Sequence, residues 1–332
     1  MSRLLACLLA AIALAGCGGT RETREPDVVV VGSATPAPAE EAEGGAGRVD
    51  IWVVTHGQAS SAFWTIVRNG VDAASRQTAV QVTYRSPDIY DVKTMGDLID
   101  DAVAAKPDGL VVSIPSEELA APIRRAVRAG IPVVSINSGS DIARRIGTLA
   151  HIGQPEEEAG YQAGRRLARA GTDDALCVNQ EVGNVGLDRR CAGFARAMRE
   201  AGGTSRVLPI DTQDLELSRQ RIQAAASRPG VDGLLTLGLD AAELAIEVAP
   251  VGATLGTFDY SPTVLRAVRA GRIEFAVDQQ PYLQGYLPVV FLAERARYGL
   301  FPAQGEVVPT GPNFITSANA AQAERLSLQG IR

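Results

Sequence analysis

Lysine is nearly missing from this chain: of its 32 basic residues, only Lys93 and Lys106 are lysines. The arginines are scattered along helical stretches, mostly near their ends, where solvent and the helix dipole account for them. With a net charge of −6, no concentrated basic face is left for nucleic acid. Histidine is equally scarce, His56 and His151 being the only two. That excludes a histidine-built metal site and leaves acid–base chemistry to lone carboxylates such as Asp88 and Asp259. The chain has no GxSxG elbow, no GxxxxGKS/T phosphate loop, no GxGxxG fingerprint and no cluster of metal ligands. These absences point away from an enzyme and away from any cofactor or metal. The apolar run at 4–14 is too short to cross a bilayer.

What is present at the N-terminus is a leader. Arg3 supplies positive charge, residues 4–14 the apolar stretch, and Leu14-Ala15-Gly16-Cys17 closes it. That tetrapeptide resembles a bacterial lipobox, which implies a signal peptide at 1–16 cut before Cys17, whose thiol then carries lipid. Gly18 stands where an inner-membrane retention signal would place Asp. Residues 17–48 are rich in Gly, Pro, Ala, Thr and Glu and bury too little apolar surface to offset their ordering entropy, so they read as a flexible tether. The valine run at 28–31 belongs to it, since no phosphate-loop motif follows Gly32.

From Val49 on, strand and helix signals alternate. Strands are predicted at 50–55, 80–84, 109–113 and 132–136, with helices near 63–76, 93–105 and 119–129. Lys106-Pro107-Asp108-Gly109 and Gly130-Ile131-Pro132 stop two of those helices. The order then recurs, with strands at 175–179, 206–210, 233–237, 253–258 and 273–277 and helices at 187–201, 215–226, 241–248, 263–270 and 282–298, before a last run at 313–315. Two halves of one βα grammar predict an α/β protein of two Rossmann-like doubly wound lobes joined by a multi-strand hinge. The N-terminal lobe is expected at 49–150 plus 279–306 and the C-terminal lobe at 151–278 plus 307–332, with His151-Ile152-Gly153 passing between them. Carboxyl ends of strands from both lobes then face one crevice, where small-molecule sites form. Phe63 and Trp64 open the first helix; adjacent helical residues do not share a face, so at least one faces that crevice.

Several segments, in this order and spacing, resemble a known family. They are SAFW at 61–64, PDGLVVSIP at 107–115, AGIPVVSIN at 129–137, HIGQPEEEAGYQAG at 151–164, RCAGFARAM at 190–198, GTFDYSPTVLRAVRAGRI at 256–273 and VDQQPYLQGYLPV at 277–289. Together they make 49–311 similar to the periplasmic sugar-binding proteins of ABC transporters with the ribose-binding (type I) fold, which also forms the effector domain of lactose-repressor-like regulators.

The resemblance implies a set of ligand contacts. Phe63 and Trp64 fall where the family stacks an aromatic pair on a sugar ring, whose C–H face suits the negative face of an aromatic; lobe core is the alternative for one of them. Asn137 takes a place where relatives often carry an aspartate, and Ser138 one where many carry an arginine, so a fork donor is lost. Arg190 corresponds to the arginine that opens the second-lobe helix and offers paired donors to vicinal hydroxyls or to a carboxylate; Arg189 is the alternative register. Asp259 is an acceptor at a strand's carboxyl end, and Gln279 matches the crossover glutamine near the hinge, with Gln280 its neighbour. Leu239-Asp240 stands where relatives have Asn-Asp, implying a ligand with a deoxy or apolar edge, or another ligand class.

Position alone adds His56 and Gln58 after the first strand, Asp88 after the second, and Asn184 in the loop EVGNVG, where turn formation is the alternative. His151 reads as structural. Cys7 leaves with the leader and Cys17 is lipidated, which leaves Cys177 and Cys191. Outside the cytoplasm an even pair favours a disulfide, which would stiffen 182–188 and place Arg190; two buried thiols are the alternative.

The expected function is that of an extracytoplasmic solute-binding lipoprotein that captures a monosaccharide or related small polar solute by clamshell closure. It would deliver that sugar or polyol to an ABC permease. The alternatives are a ligand-sensing subunit feeding a membrane signalling protein and a binder of a non-sugar solute; Arg190 leaves room for an acidic ligand. The chain is expected to be a monomer that touches the membrane through its N-terminal lipid only, in the periplasm or on the outer face of the cell membrane.

Overall fold

The computed structural model describes residues 48–57 and 61–331. The expected signal peptide at 1–16, Cys17, the expected tether up to residue 47, and Gln58 lie outside the described residues. In chain order the elements are β1 (Asp50–Val54), α1 (Ala62–Thr78), β2 (Gln81–Arg85), α2 (Val92–Ala105), β3 (Gly109–Ser113), a 3-10 turn (Glu117–Leu119), α3 (Ala120–Arg128), β4 (Val133–Ile136), α4 (Ser140–Ile146) and β5 (Ala150–Gly153). There follow α5 (Glu156–Arg169), β6 (Asp174–Asn179), α6 (Val185–Glu200), β7 (Thr204–Pro209), α7 (Leu215–Ala226), β8 (Gly233–Thr236), α8 (Leu239–Val248), β9 (Thr254–Phe258), α9 (Pro262–Arg269) and β10 (Phe275–Asp278). The chain continues with α10 (Pro281–Tyr298), β11 (Val307–Pro309), β12 (Asn313–Ile315) and α11 (Ala320–Ser327).

Local chemistry accounts for these elements. The sequences GLVVS of β3 and VVSI of β4 are buried at every position, as a parallel strand covered on both faces requires. One stripe of α1 buries Trp64, Val67, Val71 and Ala74. The side chain of Asp91 accepts the Lys93 and Thr94 N–H groups at the start of α2, and Ser261 caps α9 ahead of Pro262.

The strands sort into two sheets of six, ordered β11-β5-β4-β3-β1-β2 and β12-β10-β9-β8-β6-β7. Every pairing is parallel except that of β12, which runs antiparallel to β10. Read from β2 and from β7, the two orders match, which gives the expected pair of doubly wound lobes.

The lobe limits differ from those expected. The segment His151-Ile152-Gly153 is not a passage but part of β5, hydrogen-bonded to β4 on one side and β11 on the other. Residues 150–153 and 307–309 therefore lie in the first sheet, because a short buried strand and a valine edge complete its core. The chain crosses between lobes after β5, after β10 and after β11.

The first two crossings each hand a helix to the other lobe: α5 packs on α6, and α10 packs on α1. The contact is backbone to backbone. A Cβ on Gly160 or Gly193 would meet the carbonyl oxygen of Arg190 or Glu157 at 1.9 Å, and one on Gly285 would meet that of Val67 at 2.0 Å. Cys177 in β6 and Cys191 in α6 are joined by a disulfide, with Cα atoms 5.8 Å apart.

Candidate functional site

Carboxyl ends of strands from both sheets converge on a cavity of about 420 Å³ between the lobes. From the first lobe, His56 follows β1, Asn137 follows β4, and Phe63 and Trp64 come from the first turn of α1. From the second, Gln180 and Glu181 follow β6, Asn184 caps α6, Leu239 and Asp240 open α8, and Asp259 follows β9. Gln279 lines the cavity where the chain crosses back after β10. Asn137 and Asp259, each the first residue beyond its strand, have φ of 63°, and Gln280 has φ of 52°. A left-handed backbone at a non-glycine residue costs on the order of 1–3 kcal/mol, and such residues cluster at ligand sites.

One polar network spans the inner wall. Arg190 is 2% exposed and grips Glu156 with two nitrogens, Nε to Oε2 and Nη2 to Oε1 at 2.9 Å. Its Nη1 donates to the Leu237 carbonyl at 3.3 Å, its Nη2 to Gln279 Oε1 at 3.2 Å, and its guanidinium lies 4.5 Å from the Phe258 ring centre. Burial works against the guanidinium's charge, but Glu156, joined by Asp259 and Glu181, outweighs it and holds the pKa above the ordinary value. The Gln279 amide donates to Asp259 Oδ1 at 2.7 Å, and the Asn137 amide to Gln284 Oε1 at 3.2 Å. Burial pushes the Asp259 carboxyl up to about 7, against the pull of Arg190 and of Gln279.

A second cluster centres on His56. Its Nδ1 lies 2.7 Å from Ser113 Oγ, Asn184 Nδ2 faces its Nε2 at 3.4 Å, and Trp64 meets it edge-on with ring centres 4.8 Å apart. Burial lowers its pKa more than Glu181 raises it, so the imidazole is neutral at pH 7. At the rim, the Asp240 carboxyl is raised by burial and then by Glu243.

The cleft is closed. Val185 N–H donates to the Pro115 carbonyl across it at 2.9 Å, and Arg189 pairs with Asp141 of α4 at 2.9 Å. Arg189, the alternative register to Arg190, is thus an exposed rim residue.

The structure brings Phe63, Trp64, Asn137, Arg190, Asp259, Gln279, His56 and Asn184 around the one cavity. Asp88 is not among its lining residues: the turn after β2 leaves that carboxylate exposed to solvent, and Tyr90, two residues on, takes the wall with its ring edge toward His56. Ser138 is fully buried and donates to Asn137 Oδ1 at 3.1 Å. Sequence reasoning missed Glu156, Glu181, Glu243 and Gln284. Glu156 lies in the run PEEEAG, which entered only as part of the family resemblance; the three acids open α5, and nothing in the run marks which of them turns inward. Among the described residues no group of three or more His, Cys, Asp or Glu is placed to hold a metal ion.

The fold has counterparts among known proteins. A family model described as periplasmic binding protein domain matches residues 51–299. A carbohydrate transporter from Acidothermus cellulolyticus 11B, solved in complex with myo-inositol, is 35% identical with a TM-score of 0.81, over 86% of this chain and 100% of that one. The xylose/arabinose-binding protein XylF of Sulfolobus acidocaldarius is 24% identical over 282 residues, 77% of this chain and 68% of that protein. A solute-binding protein from Burkholderia graminis in complex with D-arabinose shares the fold at 21% identity and a TM-score of 0.73, over 82% of this chain and 96% of that one.

Proposed function

Since the chain belongs to the periplasmic binding protein domain family, we propose that it is the solute receptor of an ABC importer, closing its two lobes on a monosaccharide or a ring polyol. It is a binding protein and not an enzyme. The observation that carries this is the composition of the cavity: Phe63 and Trp64 against the hydrogen-bonded set Asn137, Gln279, Asp259 and Arg190. A sugar or cyclitol has this double character, with C–H faces for aromatic rings and hydroxyls that both donate and accept. The relative that shares 35% of its residues was solved with myo-inositol, a ring polyol.

On this proposal Phe63, Trp64, His56, Asn137, Asn184, Arg190, Asp259 and Gln279 contact the solute. The leader and Cys17 fix the protein to the membrane by lipid, outside the cytoplasm, and the closed monomer docks on its permease. The leader's apolar run followed directly by Leu14-Ala15-Gly16-Cys17 supports the anchor.

Thermal unfolding with myo-inositol, xylose, arabinose, ribose, glucose and galactose tests the proposal. A solute that binds only the native state adds about 4 kcal/mol at a thousandfold excess over Kd. A shift with one of these, lost in Asp259→Ala, is the expected result. No shift with any of them, alongside a shift with a non-carbohydrate solute, would sink the sugar assignment.

A further inference from the structure

Arg190, which by sequence alone leaves room for an acidic ligand, is already engaged inside the protein. A guanidinium has five N–H groups. In Arg190 four are engaged: Nε and one Nη2 hydrogen on Glu156, the other Nη2 hydrogen on Gln279, and one Nη1 hydrogen on the Leu237 carbonyl. A single Nη1 N–H is left for a ligand. Forked recognition of a carboxylate or phosphate needs two parallel N–H groups, so Arg190 can hold one hydroxyl but cannot clamp an anion.

Charge leads to the same place independently. Among the described residues lining the cavity, Arg190 is the one Lys or Arg, and Glu156 behind it cancels its charge. Four carboxyl groups line the same cavity: Glu181, Asp240, Glu243 and Asp259. The field inside is therefore negative on balance, within a partly water-excluded crevice where charges act strongly.

Resting on the solute-receptor reading, we propose that the cleft takes uncharged polyhydroxylated rings and excludes their carboxylate and phosphate counterparts, with Glu156 as the specificity-determining residue. Glu156 converts a cationic fork into a neutral, oriented hydrogen-bond donor. It acts through Arg190 and is a positioning residue.

The test is calorimetric titration of the full-length protein in detergent with matched pairs: D-glucose and D-glucuronate, D-galactose and D-galacturonate, myo-inositol and myo-inositol phosphate. Whichever neutral member binds, its anionic partner is expected to bind about 100-fold more weakly, the effect of one like charge roughly 6 Å away at an effective dielectric of about 20. In Glu156→Gln that gap narrows to about tenfold or less, because Arg190 regains its charge. A merely structural role for Glu156 would weaken both members alike and leave their ratio unchanged. Should Glu156→Gln fail to fold, the double variant Asp240→Asn, Glu243→Gln reads the same ratio from the rim and narrows it too. An anion bound as tightly as its neutral partner by the unaltered protein overturns the charge proposal alone. Failure of all six to bind, together with no thermal shift for xylose, arabinose or ribose, overturns the sugar reading and the charge proposal with it.

Discussion

Phe63 and Trp64 are neighbours in sequence that pack on the same core and line the same cavity but are buried to different depths. Trp64 is 7% exposed, packs in the first lobe's core with Val67 and Val71, and lies so close under Gly57 that a Cβ there would overlap its ring. Phe63 is half-buried and meets Trp64 edge-on at 5.2 Å. Trp64→Ala is therefore expected to cost about 3–5 kcal/mol in urea unfolding. Phe63→Ala is expected to cost only about 1–2 kcal/mol, while weakening the bound sugar about tenfold through the lost ring face. Equal stability losses in the two variants would contradict this division. Asp259 carries a pH signature. Its carboxyl titrates near 7 in the folded protein and near about 3.9 when unfolded. Between those values the folded state holds more protons than the unfolded one, so this group's contribution to stability declines as pH rises from about 4 to about 7 and then levels off. Calorimetry of Asp259→Asn should show its melting temperature gaining on the parent across that window and no further above it. Burial lowers His151 to about 4; its effect has the opposite sign, with stability lost as pH falls below about 6.5. The difference between parent and variant cancels it.

At the scale of elements, the bridge from β6 to α6 spans a sequence separation of 14 and encloses Glu181, Asn184 and Arg190. By the chain-entropy model it contributes about 3 kcal/mol. Replacing Cys177 and Cys191 together by Ser should lower urea stability by about that amount and weaken solute binding further, since the loop that presents Asn184 loosens. Unchanged stability would show that the bridge does not constrain the unfolded chain. Legibility in the sequence followed physics at this scale. The central strands were readable because strands buried on both faces are unbroken runs of Val, Ile and Leu. The helix α5 was not, because its buried face is Ala159, Gly160, Ala163, Gly164 and Leu167: two glycines and two alanines give a faint periodicity and read as breakers, although the close contact with α6 demands them. The three-residue strands β11 and β12 gain their identity only from the sheets they edge. In the site, a strand's carboxyl end made His56 and Asp259 readable, whereas Asn137 came from the family resemblance; all three line the cavity. Asp88 failed the same rule because a turn of a few residues decides which of its side chains looks inward.

For the whole molecule, the proposed function rests on closure. Val185 to Pro115, Asn184 to His56 and Arg189 to Asp141 are contacts made only when the lobes approach. Adding the solute should reduce the radius of gyration in small-angle scattering, and a radius unchanged at saturation would exclude the clamshell. The Arg189–Asp141 pair is exposed at both ends, and exposed pairs contribute about 0–1 kcal/mol. Arg189→Ala should thus leave affinity within about fivefold. The exchanged helices have a consequence in time. Helix α10 and strand β11 complete the first lobe, yet every parallel strand of the second lobe precedes them in the chain. A ribosome adding roughly 5–20 residues per second leaves α1 without its packing partner for about 7–29 seconds after β5 has emerged. Until that partner arrives the nascent polypeptide is an unfinished fold, still able to be threaded through a membrane pore in extended form.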